Sequence, residues 1–265
     1  MDTLALKYKR LLETIADTAG SVIAFSGGVD STLLLHAAKE TLGERALAAS
    51  ITTPYVPKWE QDEAMEFAKQ VGVKHVVLEI DFPPELRMNP PEHCYTCKKI
   101  LFSKLLGVSQ EHGFEHVLEG TNIDDLSDYR PGIKALRELG IRSPFVEAKL
   151  TKQEIRELSR RFNLSTWDKP SFACLLSRMP MDVEVTDEAL RQVEQAEVFL
   201  MQIGFPAVRV RHHGEIARIE VPADRLQDFI NANEIYEINN KLKEFGYRHI
   251  TLDLEGYKMG SLNKK

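Results

Sequence analysis

One stretch constrains this chain more than any other. In Val22-Ile23-Ala24-Phe25-Ser26-Gly27-Gly28-Val29-Asp30-Ser31 a short apolar run breaks into two glycines, and it restarts as Thr32-Leu33-Leu34-Leu35-His36-Ala37-Ala38. The first run is short and rich in β-formers, whereas the restart sets Leu34, Leu35 and Ala38 at helical spacing. Strand, glycine turn and helix are therefore predicted in immediate succession. The glycines let backbone approach a bound group where a side chain would collide with it. The helix that follows offers unpaired amides and the positive end of its dipole, so an anion is expected here. A purely structural turn needs neither two serines nor an aspartate.

The kind of anion is narrowed by what is missing. The stretch lacks the lysine of G-x-x-x-x-G-K-[ST] loops and the spacing of G-x-G-x-x-G dinucleotide loops. What remains, S-G-G-x-D-S, resembles the pyrophosphate loop (PP-loop) of enzymes that split ATP between the α- and β-phosphates. That resemblance implies that Ser26, Gly27, Gly28, Asp30 and Ser31 hold the departing pyrophosphate while a substrate oxygen becomes adenylated. Asp30 would help to hold Mg²⁺ on the phosphates.

A chain of 265 residues can bury about three quarters of its unfolded surface, enough for one large domain and a smaller one. Its 34 basic and 40 acidic residues give a net charge of -6 and form no block of one sign, which argues against a general nucleic-acid binder. Leu4, Tyr8, Leu11, Leu12 and Ile15 alternate with charges near the start, the pattern of an amphipathic helix and not of a signal peptide. No apolar run approaches the length of a membrane span, so a cytoplasmic protein is expected. Three cysteines in a reducing compartment argue against a disulfide framework.

Strand patterns appear at 21–25, 45–51, 74–80, 115–119 and 141–145, with helical patterns at 30–42, 57–71 and 93–112 between them. This alternation predicts an α/β fold with a parallel sheet and right-handed crossovers. Ligands bind at the carboxyl ends of such strands. The glycine turn, Ser50-Ile51-Thr52-Thr53 and Glu119-Gly120-Thr121-Asn122 all fall at such ends and are expected to converge. A helix over 151–161, opened by Thr151 and Glu154 as a capping box, closes a first domain at 1–165. A proline-broken loop follows at 166–181. The remainder, 182–265, reads as a small α+β domain: a helix at 186–203, strands at 207–212 and 216–221 around His213-Gly214, helical residues at 223–231 and 234–245, and a strand at 248–254.

Other candidate residues cluster in four places. The polar loop 119–132 carries Asp124, Asp125 and Asp128; Gly120 and Asp124 at the strand end are read as functional, Asp125 and Asp128 as solvated loop. Cys174 lies in a polar loop with Lys169 and Arg178 nearby, cations that favour thiolate, although a cysteine beside Phe172 and Leu175 also fits a small buried hydrophobe. Cys94 and Cys97 open a helix with both sulfurs on one side of its first turn. Such a pair suits zinc, with His93 and Cys174 as further ligands, a redox disulfide, or two corners of an iron–sulfur cluster; inert buried thiols are the alternative. On the hairpin, Val208, Val210, Ala217, Ile219 and Val221 share one face, and Arg209, Arg211, Arg218 and Glu220 share the other. Paired guanidinium groups suit a phosphate or carboxylate, but the same face could be the wet side of an antiparallel sheet.

Taken together, Ser26-Gly27-Gly28-Val29-Asp30-Ser31, Gly120-Thr121-Asn122-Ile123-Asp124-Asp125, Asp128-Tyr129-Arg130-Pro131-Gly132 and Lys169-Pro170-Ser171-Phe172-Ala173-Cys174-Leu175-Leu176-Ser177-Arg178 closely resemble the LarE family over nearly the whole chain. That family supplies sulfur for the nickel-pincer nucleotide cofactor of lactate racemase. The resemblance implies a PP-loop, adenine nucleotide alpha hydrolase-like domain that adenylates a carboxylate of pyridinium-3,5-biscarboxylic acid mononucleotide with ATP and then displaces AMP with sulfur. It implies ATP contacts at the loop, Gly120, Asp124 and Arg178, a catalytic Cys174 beside Asp30, and substrate-phosphate contacts at Arg209 and Arg211. It also implies a divalent metal at Glu197, Glu220 and Asp228. Some members sacrifice the cysteine that matches Cys174; others hold a 4Fe-4S cluster on three cysteines similar to Cys94, Cys97 and Cys174, and all three being present here favours the cluster. Homo-oligomers, and transient contact with other proteins of cofactor synthesis, are implied as well. A tRNA thiolase with the same loop, disfavoured by the acidic balance, and a non-catalytic adenine-nucleotide sensor are the competing readings.

Overall fold

The protein is described by a computed structural model over residues 3–127, 131–170, 173–232 and 235–257. These residues fall into two compact units. One lies within 1–53, 58–81 and 92–171, the other within 54–57, 82–91 and 172–265.

In the first unit, β1 (Ser21–Ala24), β2 (Ala46–Thr52), β3 (Lys74–Glu79) and β4 (His116–Leu118) form a sheet in the order β3-β2-β1-β4, with every pair parallel. Its α/β class is the one that the alternation predicts. Parallel strands need crossovers, and helices supply them on both faces. The register sets Val22 beside Leu47 and Ile23 beside Ala48, so the two-residue period divides these apolar runs between two cores. Ile23 and Ala48 face a core with Leu11 and Ile15 of α1 (Thr3–Ala16), Leu33 and Leu34 of α2 (Val29–Leu42), and Ala64 and Ala68 of α3 (Lys58–Val71). Val22, Leu47 and Val117 face the other with Leu105 and Val108 of α4 (His93–Glu111) and Leu136 of α5 (Pro131–Glu138).

The strand expected at 141–145 is absent. Arg142 makes a single parallel bridge to Leu118, and Pro144 then opens a short helix, α6 (Pro144–Glu147). Proline has no amide for a ladder, and its fixed φ suits a helix start. Neither α5 nor α6 was expected, and both begin at a proline. The capping box is present at α7 (Lys152–Arg161): Thr151 Oγ1 accepts from the Glu154 amide at 3.3 Å, and the Glu154 carboxylate accepts from the Thr151 amide at 2.9 Å.

The second unit contains α8 (Asp187–Gln202), capped by Thr186, the hairpin β5 (Arg209–His213) and β6 (Ile216–Glu220), α9 (Leu226–Ile230), α10 (Ile235–Glu244) and β7 (His249–Leu252). The sheet order is β5-β6-β7, with β5 antiparallel and β7 parallel to β6. Val210, Ala217, Ile219 and Val221 pack with Leu200, Phe229, Ile238 and Leu242 in its core. Among the described residues of the 166–181 loop, Leu175–Arg178 forms a 3-10 turn. No helix among the described residues is long and apolar enough to cross a membrane.

Candidate active site

The glycine turn is built as the chain predicts, but its two glycines do different work. Phe25 extends β1 by donating its amide to Ala49 O at 2.9 Å, and the chain then turns into α2. Gly27 is left-handed, φ 68°, and a Cβ on it would lie 2.9 Å from Ala64 Cβ of α3. Glycine is required there on both counts. Gly28 has φ -82°, which any residue adopts, and gives the first turn of α2 no side-chain cap. A Cβ on it would meet nothing nearer than Ser26 Oγ at 3.6 Å. The fold explains Gly27, and Gly28 keeps space open at a helix start whose amides lack intrahelical acceptors. Ser26 and Ser31 lace the turn: the Ser26 amide donates to Ser31 Oγ at 3.3 Å, and the hydroxyls stand 3.2 Å apart.

The carboxyl end of β4 reaches the same place. A Cβ on Gly120 would lie 2.9 Å from Asp30 Cβ and 3.3 Å from the Ser31 amide nitrogen, so only glycine permits this approach. One Asp30 oxygen accepts from Lys152 Nζ, and the other lies 3.4 Å from Asn122 Nδ2. Lys169 Nζ donates to Gly27 O at 3.2 Å and to the Glu63 carboxylate at 2.6 Å. These ammonium groups stand where the motif itself carries no lysine, and no local pattern points to Lys152 for this place. Asp124 accepts the Lys152 amide at 2.8 Å and so holds the start of α7, while Asp125 accepts the Asn122 amide at 3.0 Å. Ser50 at the end of β2 donates to Phe25 O at 2.7 Å and pairs with His75 Nε2 at 2.9 Å. Burial holds the His75 imidazole below its ordinary pKa.

None of the three cysteines is in a disulfide; Cys94 is exposed and Cys97 half-buried in the first turns of α4. A cluster needs three thiolates around one centre. Among the described residues no group of three or more His, Cys, Asp or Glu side chains is placed to hold a metal ion.

In the second unit the charged hairpin face is largely covered, with Arg218 half-buried at its edge. Arg209, Arg211 and Glu220 are 3%, 6% and 2% exposed, and Arg178 is 2% exposed. Arg178 makes a two-pronged pair with Glu197, both bonds at 2.9 Å, and Glu197 also accepts the Val210 amide at 2.9 Å. Its remaining nitrogen donates to Ala173 O, Cys174 O and Ser177 Oγ. Arg178 therefore holds the cysteine loop by its carbonyls. Arg211 forms the matching pair with Glu220 at 3.0 and 2.9 Å, and Arg218 adds a third contact at 3.1 Å. Arg209 lies 5.0 Å from the Tyr257 ring; burial first, and then the Arg178 charge, push its pKa down. The expected divalent-metal set is not brought together: Glu197 and Glu220 are each taken by a guanidinium, and Asp228 pairs with Arg225 at 2.7 Å on the surface. Asp128, Tyr129, Arg130, Ser171 and Phe172 lie outside the described residues.

No protein-family model matches the chain. It is 38% identical over 263 residues to an uncharacterised protein of Synechocystis, covering 98% of both chains. It is 37% identical over 266 residues to the pyridinium-3,5-bisthiocarboxylic acid mononucleotide synthase of Lactiplantibacillus plantarum, covering 99% of this chain and 96% of that one. More distantly, it is 27% identical over 168 residues to one of the polypeptides of the glutamine-hydrolysing GMP synthase of Archaeoglobus fulgidus, 59% of this chain and 54% of that one.

Proposed function

Because the chain belongs to the family of the pyridinium-3,5-bisthiocarboxylic acid mononucleotide synthase, we propose that it is an ATP-dependent sulfur transferase acting on the biscarboxylate form of that mononucleotide. The observation that carries the reading is identity spanning 99% of the chain, and hence both the glycine turn and the Cys174 loop.

In the first half-reaction a substrate carboxylate oxygen attacks the α-phosphorus of ATP, the bond to the β-phosphate oxygen breaks, and an acyl adenylate and pyrophosphate result. The open amides at Gly28 and the hydroxyls of Ser26 and Ser31 suit the pyrophosphate, where charge accumulates. Asp30 offers a carboxylate to Mg²⁺ arriving with the nucleotide. Lys152 and Lys169 supply positive charge beside the same turn. In the second half-reaction a sulfur nucleophile adds to the acyl carbon and AMP leaves with the bonding pair. Cys174 is the residue at which sulfur reaches that carbon. Arg209 and Arg211, buried on one face of β5, suit the mononucleotide phosphate.

Cys174→Ala is expected to abolish thiocarboxylate formation and the AMP release coupled to it, and to leave single-turnover pyrophosphate release within about twofold, since adenylation precedes the sulfur step. Undiminished sulfur transfer by that variant, or no AMP from the wild type with the mononucleotide, refutes the proposal. Mass spectrometry after one turnover reads the sulfur source. Loss of the mass of H₂S from the chain means that Cys174 gave its own sulfur and became dehydroalanine; an unchanged mass means a carried sulfur.

A further inference from the structure

The segment that bears Cys174 has little repeating structure of its own, yet side chains hold its carbonyls one after another. Arg178 Nη1 takes Ala173 O at 2.7 Å and Cys174 O at 3.2 Å, and Arg211 Nη1 takes Ser177 O. Both guanidinium groups are tied behind to carboxylates. A third anchor is neutral and comes from a distant part of the chain. Asn89 Nδ2 donates to Leu176 O at 3.2 Å, Met179 O at 3.1 Å and Pro180 O at 3.0 Å. Two N–H bonds thus serve three acceptors. Asn89 is 1% exposed, and its left-handed backbone, φ 45°, lies in a conformation that asparagine tolerates and most residues resist. Its own main chain is held as well: its amide donates to Leu86 O at 2.9 Å and its carbonyl accepts from Asp182 at 3.2 Å.

We propose that Asn89 is a positioning residue for Cys174, fixing the 176–180 backbone so that the thiol is presented in one place. The physical need is specific. An irregular loop opens locally at low cost, whereas attack on a reactive acyl carbon tolerates little displacement: an error of about 1 Å costs on the order of a hundredfold in rate. Arg178 and Arg211 cannot meet this need alone. If a substrate phosphate engages the arginine face, the donors of Arg211 are contested, while the Asn89 amide is uncharged and keeps its three carbonyls. The inference rests on the proposed role of Cys174, and its test separates the two.

The experiment uses the full chain with Cys94→Ser and Cys97→Ser, so that iodoacetamide reports Cys174 alone, and measures alkylation rate across the thiol titration range. Asn89→Gly keeps the left-handed backbone and removes the anchor. It is expected to speed alkylation by about tenfold and change its pH profile. In the otherwise wild-type chain the same substitution is expected to cut sulfur transfer by about ten- to a hundredfold, with single-turnover pyrophosphate release within about twofold. Alkylation at the parent rate and profile overturns the anchor, whatever sulfur transfer does. Altered alkylation with undiminished sulfur transfer overturns the positioning role, and Cys174→Ala assayed beside it tells separately whether Cys174 takes part in the reaction. If Asn89→Gly does not fold, Asn89→Asp carries the same test, since it keeps the shape and sets an acceptor against the three carbonyls.

Discussion

At the scale of single residues, the adjacent glycines of the turn separate what folding requires from what a ligand requires. Alanine at 27 must adopt a left-handed backbone and push against α3, at a cost of about 1–3 kcal/mol. For a chain of this size each kcal/mol lowers Tm by about 2–4 °C. Alanine at 28 meets open space and an ordinary φ. Gly28→Ala is therefore expected to leave Tm within about 1 °C and to weaken ATP binding by about tenfold or more through the methyl it places before the helix amides. Calorimetry on both variants checks this, and equal loss of Tm in the two would remove the distinction. The motif was legible in the sequence because all of its residues are neighbours. Lys152 and Asn89 were not, since neither sits in a motif and each meets its partners only after the chain has folded back.

Elements were legible where a local signal exists. The box at Thr151 and Glu154 marks the start of α7, and that cap now has a second consequence, because Lys152 at the helix start reaches Asp30. Thr151→Ala is expected to cost about 0.5–2 kcal/mol in denaturant unfolding and to raise the KM for ATP by disturbing Lys152; a stability loss with KM unchanged would show that the ammonium plays no part in nucleotide binding. Hairpin periodicity correctly divided Arg209, Arg211, Arg218 and Glu220 from the apolar face. It could not tell a wet face from a covered one, since a period of two is the same in both. The expected strand at 141–145 failed for an equally local reason: Ile141 and Phe145 satisfy a strand pattern, while Pro144 between them denies it a ladder.

Across the whole molecule, acid is expected to act through histidines. Burial lowers the pKa of His36, His75, His212 and His213 below the ordinary value of 6.5. Their neutral forms are favoured in the folded chain, so the associated stability is complete above the unfolded value and is lost as pH falls through the folded values. Tm is expected to fall between about pH 7 and 5, and a Tm that rises over that window refutes this account. By itself the sequence determined the strand-turn-helix, the capped α7, the alternating sheet and helices, and the two faces of the hairpin. Each is a property of backbone conformation and side-chain period among close neighbours. Only the tertiary structure decided that Lys152 and Lys169 stand at the glycine turn, that Arg178 and Arg211 are buried against Glu197 and Glu220, and that Asn89 holds the Cys174 loop. Those pairings join residues up to 142 positions apart, and nothing in local propensity selects one distant partner over another until packing has excluded water and left each buried donor to find an acceptor.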